Sequence, residues 1–580
     1  MKAYFFIVLM SLFLSLSGQG VYIYDGQRTS RTIDLLDIRY ESSLPFFTSI
    51  KNQNSQILLQ ALDEKYNDLS PFDQSNAIKI LQQYHYFRTP PIPSTKITAD
   101  SLFHHRKNPE ELEFKIIKNE GIGKYFYKNK YHFYAIETEN FSLHVDPIMD
   151  IQFSNASNRD DILYQNTRGA RISGYVDKKV YFYSEILENQ ASFPTYVNEY
   201  IQENKAIPGN GFYKSFKSNF IKSKPAYDYL NACGYLGIPI SPNISLDIGH
   251  GRHFIGDGKR SLLLSDFSNN YFYLKLNTKI WKLNYQNIFA ELAALGSSDI
   301  RGDVLLTKKY FAGHYLSFKP FRTVEVGLFE SVIFNRADHF EFQYLNPLIL
   351  YRSVEHLIGS PDNAMLGLNI SWDLFKTAKF YGQVVIDEFR LSQLNTGWWG
   401  NKYGGQLGLK YFNLFKKEGL DLRIEANFVR PFTYAQSRPI DIRPDLSITS
   451  YSHYKQALAH PLGANFEEYI LSIQTPILNW LFAEFYWFHY VKGTDRIGGP
   501  NYGSNILRLT TDYEKEYDNF IGQGDKDKVN LMQLRLSAEI FPDVNVDLHS
   551  TYRSSSLKDR IEFITNLGLR YNINPTNFHF

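Results

Sequence analysis

The residues best equipped for chemistry lie in the stretch WWGNKYGG at 398–405. Trp398, Trp399 and Tyr403 offer flat apolar faces, and Asn401 adds an amide with two donors and an acceptor. That combination stacks on sugar rings and bonds their hydroxyls. Trp and Tyr at a strand end also form the girdle of a membrane barrel, so both readings stand at this point. A second group lies in HFIGDGKR at 253–260, where Gly256 and Gly258 flank Asp257 ahead of Lys259 and Arg260. A glycine-rich turn beside basic residues can hold a phosphate, but this spacing matches no P-loop and opens no helical pattern. His250, His253 and Asp257 lie close in sequence without a metal-ligand spacing, which favours a hydrogen-bonded cluster in a lumen. A third group is NPLILYRSVEHLIG at 346–359. There Asn346 caps, Pro347 starts and Gly359 stops a short helix carrying Arg352, Glu355 and His356. An apolar helix between two strands is expected to fold into the lumen as a constriction. Arg352 and Glu355 would there meet a ligand or the wall. Ser261 and Ser265 lie near His250 and His253, but no G-x-S-x-G accompanies them. No catalytic residue, metal site or cofactor is assigned.

These loops hang from strands. Between Leu531 and Ile573 three segments alternate without a slip. In the first, Met532, Leu534, Leu536, Ala538 and Ile540 oppose Gln533, Arg535, Ser537 and Glu539. Period-two alternation puts those sets on opposite faces of a sheet. From about Phe141 onward, about eighteen such candidates follow one another, most long enough to cross a bilayer tilted. Their connections alternate short and long along the series, as in an outer-membrane barrel with short periplasmic turns and long outer loops. An even count returns both ends of the barrel to the periplasm. The expected fold is therefore an all-β transmembrane barrel over 131–580. In 420–430, Asp421, Arg423, Glu425 and Asn427 face inward, and this mixed charge suits a filled lumen better than a selective pore.

Composition agrees. The 580 residues carry 42 Tyr and 45 Phe, an excess that fits aromatic girdles or sugar stacking. Net charge is +2, too balanced to argue for nucleic acid. Cys233 is the one cysteine, so no disulfide forms within the chain. Lys2 and the apolar run FFIVLMSLFLSL predict a cleaved signal peptide over 1–20. Residues 21–130 read as a helical periplasmic segment and linker. Apolar positions from Ile57 to Tyr66 have helical spacing, and Ser70-Pro71 opens a second helix with Ile78, Leu81 and Tyr84 on its stripe. The Pro-rich TPPIPST at 89–95 ends that segment. Residues 45–88 are the candidate surface for a periplasmic or surface protein partner.

Several stretches resemble a known family: ENQASFPTYVNEYIQENKAIPGNGF, GHGRHFIGDGKRSLLLSDFSNNYFYLKLNTKIWKLNY, HFEFQYLNPLILYRSVEHLIGSPDNAMLGLN, WWGNKYGGQLGLKY and HPLGANFEE. They are similar to outer-membrane proteins grouped with the Wzi-type capsule-assembly proteins, and most to the RemB-type gliding-motility branch. The resemblance spans roughly the last two thirds of the chain. It implies a large barrel in the outer membrane of a Gram-negative bacterium, with a helical periplasmic segment and a non-enzymatic role at the cell surface. Its expected partners are outer-membrane lipid and surface polysaccharide. The alternative role is in gliding motility or adhesion; a diffusion pore or an outer-membrane hydrolase is more remote. No family residue carries over, so Trp398, Trp399, Asn401, Tyr403, Asp257, Arg260, Arg352 and Glu355 stand as glycan-binding candidates on loop chemistry alone. The terminal Phe580 resembles the aromatic ending by which such barrels are recognised for insertion.

Overall fold

Alternation along each strand decides the architecture. In the segment Asp525–Phe541, Arg535 and Gln533 are buried while Met532, Leu534 and Ile540 stand exposed on the other face. A sheet with a buried polar face and an exposed apolar one is inside-out for water and right for lipid. The computed structural model describes residues 22–23, 27–40, 46–51, 53–84, 132–217, 223–296, 305–336, 339–347, 350–359, 362–496 and 498–580. The expected signal peptide and the Pro-rich linker at 89–95 lie outside them.

Eighteen antiparallel strands close into a barrel. In chain order they are β1 (Phe141–Ala156), β2 (Leu163–Val176), β3 (Val180–Ala191), β4 (Ala226–Ser241), β5 (Ile244–Gly251) and β6 (Tyr271–Ile280). Next come β7 (Leu283–Ala293), β8 (Lys308–Phe321), β9 (Val324–Phe334), β10 (Asn363–Leu374), β11 (Ala378–Glu388) and β12 (Lys402–Tyr411). The last are β13 (Asp421–Val429), β14 (Phe466–Leu478), β15 (Leu481–Thr494), β16 (Asp525–Phe541), β17 (Val544–Ser555) and β18 (Arg560–Tyr571). The ring closes between β18 and β1, with Ile564 opposite Ala156 and Tyr571 opposite Met149. The short turns gather at one end. At the β2–β3 turn Asp177 and Lys178 both take positive φ, matching the turn to strand twist, and the Lys179 N–H closes it on the Val176 carbonyl at 3.0 Å. Trp281, Phe321, Trp372, Phe375, Trp480 and Phe541 ring that end with exposed aromatic side chains, an interface girdle.

The lumen is packed. Helices α1 (Gln27–Ile38), α2 (Ser55–Lys65) and α3 (Pro71–Tyr84) fill the short-turn end. α1 was not legible as a helix, because its wall-facing side is charged. Arg31 Nε donates to Asp421 at 2.5 Å, and the same guanidinium holds Asp73 of α3 and donates to Asn413 at 2.9 Å. Lys410 donates to Asp34 at 2.8 Å and Lys319 to Asp37 at 2.9 Å. Burial alone pushes the Asp34 carboxyl up, but Lys410 and Lys379 hold it below the usual carboxylate range. Lys79 bonds Glu539 at 2.6 Å. His132 sits between Asp146 (2.8 Å) and the Gln83 carbonyl (2.9 Å), which ties the start of the wall to α3.

Three further pieces fill the barrel above this plug. Residues 252–270 descend from the long-loop end until Gly256 N–H donates to the Ser49 carbonyl at 2.6 Å. Residues 431–465 lie over them, with the Tyr434 and Tyr451 hydroxyls donating to the carbonyls of Leu262 and Leu263 at 2.7 and 2.8 Å. Residues 572–580 climb the lumen from the end of β18. His579 meets Gln533 at 2.7 Å, and the Phe580 ring packs on Tyr200 at 4.8 Å. Tyr200 belongs to α4 (Thr195–Asn204), on the long-loop side. Phe580 is thus inside the lumen, beyond Tyr571, the residue that ends the last strand.

His453 pins the upper lid. Its Nδ1 accepts from the Ala293 N–H at 2.9 Å and its Nε2 faces the Asn270 carbonyl at 3.1 Å, so the neutral ring carries its proton on Nε2. Burial pushes its pKa down to about 3. A depressed histidine pKa means that the folded lid prefers the neutral ring. Its contribution is whole above pH 6.5 and lost as pH falls toward 3. Hydrogen exchange in residues 431–465 should therefore speed up as pH drops through that window, after correction for intrinsic rates. In His453→Ala the lid should exchange faster at neutral pH already, since the Ala293 N–H then lacks its acceptor at about 1–3 kcal/mol.

Candidate functional site

The stretch 398–403 forms one wall of a cleft of 420 Å³ at the long-loop rim of the barrel. Gln393, Thr396, Trp398, Tyr403, Arg430 and Asp518 are among its lining residues. Tyr403 and Arg430 belong to the outward register of β12 and its continuation from β13. Just below them, Leu407 and Phe428 are exposed in the lipid-facing belt. The cleft therefore opens where wall meets water. Tyr403 also lies edge-on to Phe428 and Phe389, so the girdle and the platform are built from one set of rings.

Each aromatic face is already partly used. Arg390 sits 4.8 Å over Trp398, Lys402 5.4 Å over Trp399, and Arg430 5.4 Å over Tyr403. Trp399 also stacks on Tyr513 at 5.0 Å, which makes it a joint between loops. Trp398 leans on Gly400, where an added Cβ would fall 2.4 Å from its ring. Asn401 is buried and committed: its Oδ1 accepts from Arg390 N–H at 2.7 Å, and its Nδ2 donates to the Arg390 and Gln393 carbonyls. Asn401 thus shapes the cleft while its amide is spent on backbone. Arg430 ties the two sides, donating to the Asn401 carbonyl at 2.9 Å and reaching the Asn519 carbonyl at 3.4 Å. Asn519 answers with its N–H to the Gly397 carbonyl at 2.9 Å. Asp518, Asn395 and Gln393 leave polar side chains at the opening, the groups that would meet hydroxyls.

Gly397 makes that seam possible. Its φ is +67, and an added Cβ would lie 2.7 Å from the Asp518 and Asn519 backbone. Gly397→Ala should open the cleft and cost about 1–3 kcal/mol in local stability. The check is faster hydrogen exchange at 394–400 and 516–520 with the barrel's own exchange unchanged.

The other sequence candidates lie elsewhere. Asp257 and Arg260 are buried deep in the lumen. The GDGKR turn does bind an anion, but that anion is Glu425: the N–H groups of Lys259 and Arg260 donate to its carboxylate at 2.6 and 3.1 Å. Gly258 allows this approach, since a Cβ there would stand 2.7 Å from Glu425 Oε2. Arg260 then pairs with Glu468 at 3.0 Å, and His460 bonds the same carboxylate at 2.7 Å. Both Asp257 oxygens are buried without a hydrogen-bond partner among the described residues. His250 is exposed on the outward register of β5 while His253 bonds the Tyr271 hydroxyl in the lumen, so the two do not converge. Among the described residues no three His, Cys, Asp or Glu side chains gather as a metal requires.

Arg352 and Glu355 sit on α5 (Tyr351–Leu357), which contradicts the expected luminal constriction. Residues 339–347 and 350–359 fold over the outside of the wall. Tyr344, Tyr351 and Val354 pack on Tyr310, Ala312, Val332, Phe334 and Ala364, all on the outward register of β8 to β10. The physical reason is the inverted polarity of a membrane barrel: its apolar face is outside, so an apolar helix seeks it there. Arg352 N–H donates to Glu330 at 3.1 Å, and the Arg352 side chain pairs with Glu355 at 3.3 Å.

The fold defines a class, the eighteen-stranded outer-membrane β-barrels with a small N-terminal helical segment. Among solved structures, the chain is similar to Wzi of Escherichia coli, described as an outer membrane protein involved in group 1 capsule assembly and a carbohydrate-binding β-barrel. The TM-score is 0.53 at 12% identity, over 96% of this chain and all of that one. OprD of Pseudomonas aeruginosa matches at a TM-score of 0.38 and 10% identity, over 74% of this chain and 94% of that one. OccAB4 of Acinetobacter baumannii matches at 0.39 and 8%, over 75% and 98%. No family model and no curated protein matches the sequence.

Proposed function

We propose that this protein is a non-enzymatic outer-membrane barrel that binds surface polysaccharide in the rim cleft bounded by Trp398, Tyr403, Arg430 and Asp518. The observation that carries the reading is that cleft: aromatic rings, an arginine and free polar side chains converge on one opening at the long-loop end. Aromatic edges and faces bury the apolar patches of a sugar ring, and the polar groups take its hydroxyls. The packed lumen favours this over a diffusion pore. Plug helices, the 252–270 loop and the 572–580 tail are each bonded to the wall, through Arg31–Asp421, Arg260–Glu468 and His579–Gln533, so transport would require several of them to move together. The carbohydrate-binding description of Wzi lends support at the level of fold. For the motility alternative, an envelope partner would meet the short-turn end, where Gln60, Glu64, Asn67 and Ser75 stand exposed on α2, the turn after it and α3.

The test is titration of the full-length protein in lipid nanodiscs with polysaccharide isolated from the same cells. Saturable binding that Asp518→Ala weakens supports the assignment. Equal binding by wild type and variant places any glycan contact elsewhere, and no binding removes the proposal.

A further inference from the structure

The outer flap, residues 339–347 and 350–359, covers a polar weak point in the wall. Glu330 and His314 stand opposite each other on the outward register of β9 and β8. Directly below on the same face, Leu328 is 57% exposed, as a lipid-facing side chain is. Glu330 pairs in register with Leu366, six residues above Trp372 of the girdle. A tilted strand gains about 2.5 Å per residue along the membrane normal, which sets Glu330 roughly 15 Å above that girdle in an apolar band about 25 Å tall. A carboxylate and an imidazole there would face acyl chains at high cost. The flap prevents this. Tyr351 lies 4.0 Å from the His314 ring, and Arg352 N–H bonds the Glu330 carboxylate.

The flap's own outer side is apolar where it meets the belt. Phe342 is 75% exposed, Leu350 64% and Leu357 83%. Its backbone is suited to the same place. The Tyr285 hydroxyl donates to the Pro347 carbonyl, and Ser353 and Ile358 N–H groups bond within the helical turn. Non-strand backbone at membrane depth persists only when protein satisfies it.

We propose that this flap is an in-membrane element, seated on Glu330 and His314, whose Phe342, Leu350 and Leu357 insert into the acyl chains of the outer leaflet. Its exposed apolar side chains lie over the outward, lipid-facing register of β8 to β10, beside the polar Gln343, Ser353 and His356, and the belt they overlie singles out lipid as the occupant. Arg352, half exposed, keeps its guanidinium paired with the buried Glu355 at 3.3 Å, so the one cation on the helix faces acyl chains with its carboxylate partner in place.

The test uses the full chain in liposomes on a Cys233→Ser background, with Leu350→Cys or Leu357→Cys carrying an environment-sensitive fluorophore. Leu328→Cys serves as the belt reference and Asp512→Cys as the aqueous one. Both flap positions should match Leu328→Cys: blue-shifted emission, several-fold stronger quenching by acyl-chain doxyl lipid than by iodide. Iodide quenching equal to that at Asp512→Cys overturns the proposal by placing the flap in water. Shielding from both quenchers overturns it in favour of a protein cover. Should Leu350→Cys fail to fold, Leu357→Cys, which points away from the wall, decides alone.

Discussion

Arg31→Ala should release the helical plug from the barrel. The substitution leaves Asp421 and Asp73 as two buried carboxylates facing each other without their shared cation. Breaking a buried pair in this way costs about 3–5 kcal/mol. Helices of 12, 11 and 14 residues have little stability of their own, so the loss falls on their docking. On a Cys233→Ser background, a cysteine replacing the fully buried Leu58 should react with maleimide about two to three orders of magnitude faster when Arg31 is alanine. Arg31→Lys, which keeps one contact, should fall between. Heat-modifiable migration on gels should be unchanged, because no strand pairing depends on Arg31. Equal reactivity in wild type and Arg31→Ala would mean that the plug is held by its apolar contacts instead.

The barrel was legible because its signal is repetitive. Each of the eighteen candidate segments corresponds to one of β1 to β18, with ends displaced by a few residues, and the short–long parity holds except at 556–559, a tight turn on the long-loop side, and 412–420, a longer one on the short-turn side. Leu422, Ile424, Ala426 and Phe428 against Asp421, Arg423, Glu425 and Asn427 is the pattern in miniature. What resisted reading were elements judged by the rules of a water-soluble core. α1 buries Arg31, Asp34 and Asp37 against a charged wall, so it shows no clean apolar stripe. α5 shows one, and for that reason lies outside on the lipid-facing side. Both follow from a barrel whose polar face is inward. The cleft was half legible: Trp398 and Tyr403 stand out by type, but Arg430 and Asp518 come from loops 32 and 120 residues further on (430 − 398 and 518 − 398), and no spacing rule joins them. Asn401 has the right chemistry and the wrong freedom, since its amide is consumed by Arg390 and Gln393.

Trp398→Ala should weaken polysaccharide binding more than any other single change in the cleft. Its edge faces the opening while Arg390 and Gly400 hold the ring in place. An aromatic held this way carries about 2 kcal/mol of a binding energy, roughly a thirtyfold rise in Kd. Trp398→Phe should recover part of that loss, as its smaller ring keeps an apolar edge at the opening. Trp399→Ala acts through a different route. It removes the joint with Tyr513, so its effect should appear as loosened loops in hydrogen exchange together with weaker binding, whereas Trp398→Ala should leave exchange unchanged.

The most direct measurement of the central claim is made on cells. A deletion strain is complemented with wild type, Trp398→Ala or Asp518→Ala at equal surface levels, and cell-bound and shed polysaccharide are quantified alongside spreading on agar. The cleft account predicts that deletion moves polysaccharide from cells to medium while total synthesis continues. Wild type should restore retention, and the two cleft variants should not. Full retention in the deletion strain, with spreading lost, would contradict it and move the role to motility through the plugged end of the barrel.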